Sequence, residues 1–165
     1  MILIISGTNR PGSNTLKVSK QYQHFMHEMG VESELLSLTD LHSLTRDEAF
    51  VKLEQQFLEP ATKFVFVLPE YNGSFPGIFK LMIDLSDINK CWNHKKVLLV
   101  GVANGRSGNL RGLDTMTNMC NYMKMHVFHQ KLPISSVNTE IPGDIFVHEH
   151  TIAEIKKQIE GFVKY

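Results

Sequence analysis

The sequence is short of cysteine, of net charge and of long apolar runs, and each shortage removes a class of protein. Its 165 residues include two cysteines, Cys91 and Cys120, far apart and in no CxxC pair. No disulfide framework can be built from them, and both stand beside apolar residues, where thiols read as buried and inert. Seventeen Lys and Arg balance seventeen Asp and Glu, for a formal net charge of zero. A nucleic-acid binder shows a basic face, and a disordered chain shows excess charge with few apolar residues; neither pattern is present. The one basic cluster, Lys90 to Lys96 with Trp92 and His94 inside it, reads as a solvated turn before a strand. No apolar stretch reaches the roughly 18 residues of a membrane span. Met1 to Ile5 has no basic region and no small-residue cleavage site, so it reads as a strand rather than a leader, and a cytoplasmic location is expected.

Several chemical signatures are also missing. There is no GxxxxGK[ST] loop and no GxGxxG fingerprint, so a P-loop and a dinucleotide fold are poor fits. There is no HExxH and no GxSxG elbow. Eight histidines occur, with His24 and His27 on one helix, His126 and His129 around a strand, and His148 and His150 in a loop. A metal site needs three or four converging ligands with support behind them, and no such set is visible.

What is present is a regular alternation. Met1 to Ile5, Lys63 to Leu68 and Lys96 to Ala103 are apolar runs of strand length, as buried parallel strands are. Val31 to Leu38 reads as a second strand and Val127 to His129 as a short fifth. Helices are expected from the Thr15 region to Met29, where Gly30 stops the run, and over Asp47 to Leu58, broken by Pro60. Another starts at Pro76, with Ile78, Met82, Leu85 and Ile88 on one face and Phe79 and Ile83 beside them. Two more cover Leu110 to Met125 and Thr151 to Tyr165, and residues 131–150 read as a long loop. Five strands alternating with five helices imply a single α/β domain over 1–165, with a parallel sheet covered on both faces. Ligands of such sheets bind beyond the carboxyl ends of the strands.

Three polar loops follow strands one, three and four, and therefore share that edge. In the first, Thr8, Asn9, Arg10, Ser13, Asn14 and Thr15 supply hydroxyl, amide and guanidinium donors just where a helix begins. That suits a phosphate; it suits an ordinary helix cap at Ser13 or Asn14 equally well. In the second, Pro69-Glu70-Tyr71-Asn72-Gly73-Ser74-Phe75-Pro76-Gly77, two prolines bracket an Asn-Gly turn and an aromatic residue. Such a loop fits the polar edge of a planar ring, or simply a rigid entry to the next helix. In the third, Asn104-Gly105-Arg106-Ser107-Gly108, Arg106 reads either as an attractor of phosphates or as a plain surface charge.

The second loop, continued through Lys80, Ile83 and Asp84, resembles the PEYNGS-x-PG-x-x-K-x-x-ID motif of the NADPH-dependent FMN reductase family. Gly7-Thr8-Asn9-Arg10-Pro11-Gly12-Ser13 is similar to that family's G-S-x-R-x-x-S loop, with Thr8 in place of Ser. The element order resembles the family over essentially the whole chain.

The resemblance implies a flavodoxin-like three-layer sandwich with strand order 2-1-3-4-5, bound FMN, and NADPH or NADH as electron donor. Electrons would pass through FMN to a small-molecule acceptor, with no catalytic side chain required for the transfer. It implies that Thr8, Arg10, Ser13, Asn14 and Thr15 hold the FMN phosphate. Pro69, Glu70, Tyr71, Asn72 and Gly73 would border the ring, and Asn104, Gly105 and Arg106 would flank its other side. A homodimer or homotetramer is implied, with Lys80 and Asp84 on an interface helix; their spacing also suits a surface ion pair. Family members often carry Asn after the Lys and an aromatic after the Asp, whereas this chain has Leu81 and Leu85. Two other readings share these residues: a flavodoxin-type electron carrier, although flavodoxins tend to be acidic, and a non-catalytic module on the same scaffold.

Overall fold

A computed structural model describes residues 1–41 and 45–165. The apolar runs form the middle of a parallel sheet because they can be buried on both faces. β1 (Ile2–Ser6) lies between β2 (Ser33–Ser37) and β3 (Lys63–Pro69), and β3 pairs with β4 (Lys96–Val102). Ile4 stands opposite Leu35 on one side and Val65 on the other, and Val65 stands opposite Leu98. β2 is the least buried of these strands, with Glu34 exposed and only Leu36 buried, as suits an edge strand.

The order β2-β1-β3-β4, with a fifth position beyond β4, is the one the family resemblance implies. The fifth position is filled by two pieces. β5 is only His126–Val127, and β6 (Leu132–Ile134) continues beside β4 further along. Residues 131–150 are therefore not one long loop; besides β6 they contain the short helix α6 (Val137–Glu140). Pro133 hid the strand. It has no N–H to give, a loss that an edge position tolerates.

Helices cover both faces. Leu3, Ile5, Phe64, Phe66, Val97 and Leu99 point to one side. There they meet α2 (Glu48–Leu53), α3 (Gly77–Leu85), α4 (Ile88–Cys91) and α5 (Leu110–Tyr122) through Phe50, Phe79, Cys91 and Met116. Ile4, Val65, Val67, Leu98 and Val100 point to the other side. These pack on Val18, Tyr22 and Met26 of α1 (Asn14–Glu28) and on Ile155, Ile159 and Phe162 of α7 (Glu149–Lys164). The alternation along each strand divides the core cleanly into two halves, as the period of a β-strand requires.

Some boundaries move. Pro76 is the N-cap of α3 rather than its first residue. The buried face of α3 is Phe79, Met82 and Ile83; Ile78, Leu81 and Leu85 are half-buried, and Ile88 belongs to α4 and is exposed. The expected helix over 47–58 is α2 followed by a π-helical turn, Glu54–Leu58. Lys90 to Lys96 is no solvated turn. Trp92 is fully buried, with its indole Nε1 donating to Ser86 Oγ at 2.7 Å. Lys95 Nζ donates to the carbonyls of Leu58 and Glu59 at 2.8 Å each, and so closes the end of the π turn.

Cys91 and Cys120 are both buried and free. Burial pushes each thiol up to about 12, with Glu54 adding to the effect on Cys91. Two consequences follow. A thiol reagent at neutral pH should find no reactive cysteine in the native chain and two after unfolding; rapid native labelling would contradict the packing. The raised values also stabilise the fold fully below the ordinary thiol value of 9.0, and that contribution is lost as pH rises towards about 12.

Candidate functional site

The three polar loops meet at the carboxyl edge of the sheet, and close backbone contact draws them together. Gly7 N donates to the Val67 carbonyl at 2.8 Å. A Cβ at position 7 would lie 2.8 Å from both that oxygen and Leu68 Cδ2, so only glycine lets the end of β1 come this near β3. Glu70 N donates to Val102 O at 3.0 Å and ties the second loop to β4. Asn109 is buried in a left-handed conformation as the N-cap of α5. Its Nδ2 donates to Leu68 O at 3.0 Å, and its Oδ1 accepts from Gly112 N at 3.2 Å. One side chain thus fastens the end of β3 to the start of α5.

The loop 70–76 contains a miniature hairpin. Tyr71 and Ser74 exchange backbone hydrogen bonds of 2.8 and 3.1 Å, with Asn72 at φ 51° and Gly73 at φ 76° between them. Two successive positive φ angles define the turn that Asn-Gly favours. The hairpin holds Tyr71 towards the first loop, where its hydroxyl lies 2.9 Å from Thr8 Oγ1. The Arg10 guanidinium sits over the Tyr71 ring, 5.2 Å from its centre.

At α1, Ser13 is the N-cap and its Oγ accepts from Leu16 N at 3.2 Å. The first turn of this helix carries no acidic side chain. Its free N–H groups and dipole therefore face the cleft uncancelled.

A cleft of about 190 Å³ gathers Thr8, Arg10, Ser13, Asn14, Thr15, Pro69, Glu70, Tyr71 and Asn104. Nine expected residues thus share one wall-to-wall site. Four do not line it: Asn72 and Gly73 form the hairpin tip beside it, and Gly105 and Arg106 lie in the exposed loop after β4. Val102, Ala103, Val137 and Asn138 line it as well and were not expected. The first two are the last residue of β4 and the one after it. The others arrive from the segment read as a loop, whose only signal was a polar run after a short apolar one.

The donor set suits a phosphate. The first loop alone brings three hydroxyls, an amide, a guanidinium and a helix start, and Glu70 is the one acid among the lining residues. Ser107 Oγ lies 3.4 Å from a Glu70 carboxylate oxygen. Cofactor pockets commonly span ~300–1,000 Å³, so this cleft is a small one, with Tyr71 hydrogen-bonded to Thr8 across its lining. Larger grooves exist elsewhere. One of about 860 Å³ lies by Met1, His24 and Glu34 at the opposite edge of the sheet. Another of about 580 Å³ lies outside α3 and α5. Neither collects the polar loops.

The profile of a family described as NADPH-dependent FMN reductase matches residues 1–139. Over 96 residues the chain is 29% identical to the NADH-dependent FMN reductase SfnF of Pseudomonas fluorescens (strain Pf0-1), covering 54% of this chain and 51% of that protein. Over 119 residues it is 28% identical to the NADPH azoreductase of Bacillus sp. (strain OY1-2), covering 70% of this chain and 65% of that one. The chain thus spans between about half and two thirds of the length of these relatives. FerB, a flavoenzyme NAD(P)H:(acceptor) oxidoreductase from Paracoccus denitrificans, superposes with a TM-score of 0.80 at 21% identity, over 99% of this chain and 95% of FerB. The fold is therefore shared with FerB, the family's cofactor is FMN with NAD(P)H as electron donor, and the match runs from Met1 through all three polar loops. The chain belongs to the NADPH-dependent FMN reductase family.

Proposed function

We propose that this chain is an FMN-dependent oxidoreductase that takes electrons from NADPH or NADH and passes them to a small-molecule acceptor of the quinone, azo or flavin type. The observation that carries the reading is the cleft at the carboxyl edge, where an acid-free helix start and the donors of the first loop converge beside the Tyr71 hairpin. When bound, FMN supplies the two-electron redox chemistry.

The chain's own residues bind and orient. Thr8, Arg10, Ser13, Asn14 and Thr15 neutralise and hydrogen-bond the phosphate. Pro69 to Gly73 border the ring, with the rigid hairpin setting the height of Tyr71. Asn104, Gly105 and Arg106 would flank the opposite side, where their backbone donors would meet the ring's carbonyl edge. No side chain is required to move a proton.

The reading extends to a single domain over 1–165, a cytoplasmic location, and a homodimer or homotetramer. No helix among the described residues is long and apolar enough to cross a membrane. Lys80 and Asp84 form an ion pair on the outer face of α3, beside the half-buried Leu81 and Leu85. That mixed face supports a subunit contact, and light scattering tests it.

Initial rates with NADPH or NADH against a quinone and an azo dye test the activity. The expected result is FMN-dependent turnover with parallel double-reciprocal lines, since the nicotinamide must leave before the acceptor enters. FMN-loaded protein that oxidises neither nicotinamide is an electron carrier instead.

A further inference from the structure

We propose that Asn138 is a phosphate-binding residue of the FMN site, delivered by a strap that crosses from the far end of the sheet. The proposal rests on the FMN reading above. It assigns a contact to a segment 124 residues from Asn14, its partner in the first loop.

The strap begins where β6 ends. Val137 N donates to Ala103 O at 3.2 Å, which pins the chain to the end of β4. Ser136, just before it, is held at φ 49° and ψ 39°, a left-handed conformation that a non-glycine residue adopts only when its surroundings impose it. Val137 and Ile141 are buried in the core beneath α1 and α7. The strap then returns across α1. Lys17 Nζ donates to Gly143 O at 2.7 Å and lies 3.5 Å from Asp144 Oδ1. Val147 N donates to Glu140 O at 3.0 Å, and His148 Nδ1 lies 3.2 Å from a Glu140 carboxylate oxygen, closing the base of the loop. Both limbs of the strap are thus fastened around the first turns of α1.

Asn138 sits between those fastenings and lines the same cleft as Thr8, Arg10, Ser13 and Thr15. Its Oδ1 accepts from Asn14 Nδ2 at 2.7 Å. In this arrangement the Asn138 oxygen is the end engaged by Asn14. The Nδ2 end then has two N–H donors with no partner among the described residues. An amide whose oxygen is occupied, on an exposed residue lining a cleft of phosphate donors, has its N–H groups left to donate to an anion bound there. The phosphate would then be gripped from both sides, by the loop after β1 and by the strap.

Comparing FMN with riboflavin, which has the same ring and no phosphate, separates this contact from general packing. Dissociation constants are read from flavin fluorescence for the wild-type chain, Asn138→Ala, Asn138→Asp and Lys17→Ala. Asn138→Ala should weaken FMN about tenfold, as loss of a hydrogen bond to a charged group does, and leave riboflavin unchanged. Asn138→Asp should weaken FMN further, because a carboxylate then faces the phosphate. The phosphorus NMR signal of bound FMN should shift in Asn138→Ala relative to wild type. Lys17→Ala, which only loosens the strap, should raise the FMN dissociation rate by less than Asn138→Ala does. Equal losses for FMN and riboflavin, or no loss for either, would overturn the role of Asn138 while leaving the FMN reading in place. A wild-type chain that binds neither flavin would overturn both.

Discussion

Replacing Arg10 with alanine is expected to weaken FMN binding roughly ten- to a hundredfold and to leave riboflavin binding nearly unchanged. Arg10 is the one guanidinium lining the cleft, and it is held over the Tyr71 ring rather than by an acid. Nothing has to be broken electrostatically before it meets an anion. A charge-assisted hydrogen bond contributes about 1.5–3 kcal/mol, which gives the range above. Arg10→Lys keeps the charge but loses the forked geometry, so it should recover only part of the affinity. The preference for FMN over riboflavin should also shrink with added salt, because this exposed arginine is screened. Fluorescence titrations check all three expectations. Equal loss of both flavins would mean that Arg10 acts through Tyr71 and not on the phosphate.

The second large effect is on stability. Glu54→Ala is expected to cost about 3–5 kcal/mol, near the lower end because Arg46 stays half-exposed and can turn to water. The Glu54 side chain is fully buried at the start of the π-helical turn. Its carboxylate accepts from Arg46 Nε at 2.9 Å and from the Asp87 backbone N–H at 2.7 Å, and Arg46 Nη2 lies at 2.8 Å. The Cys91 thiol is 3.7 Å away. Removing it orphans the Asp87 N–H at the head of α4 and leaves a cavity beside Cys91. For a chain of this size a loss of 3 kcal/mol lowers Tm by about 6–12 °C, measurable by calorimetry. FMN affinity should be spared, since Glu54 lies on α2's side of the sheet, away from the cleft. A change of less than one or two degrees would show that Arg46 and Asp87 are satisfied without it.

Those two residues mark what could and could not be read from the sequence. Arg10 was legible because loop chemistry is local: donors clustered between a strand and a helix point to one edge whatever the distant contacts. The central strands were legible for the same reason, since Lys63 to Leu68 and Lys96 to Ala103 are apolar on both faces. Glu54 was not, because a glutamate in an amphipathic helix reads as surface. It stands four residues after Phe50, on the buried face of the helix, and its partners Arg46, Asp87 and Cys91 are set by tertiary packing. Trp92 was hidden in the same way inside a run of lysines. Asn138 was lost because Pro133 and Pro142 made residues 131–150 read as loop, although a proline at the edge of a sheet costs little. Asn72-Gly73 was read correctly as a turn, but its tip stands beside the cleft rather than in it. Position along the chain fixes a turn, whereas only the fold decides which of its residues face inward.

The most direct test is an anaerobic titration of the FMN-loaded chain with NADPH and, separately, with NADH. The expected result is stoichiometric bleaching of the visible flavin band by at least one of them, restored on adding a quinone. Tightly bound FMN whose spectrum neither nicotinamide changes would contradict the assignment of this chain as a reductase.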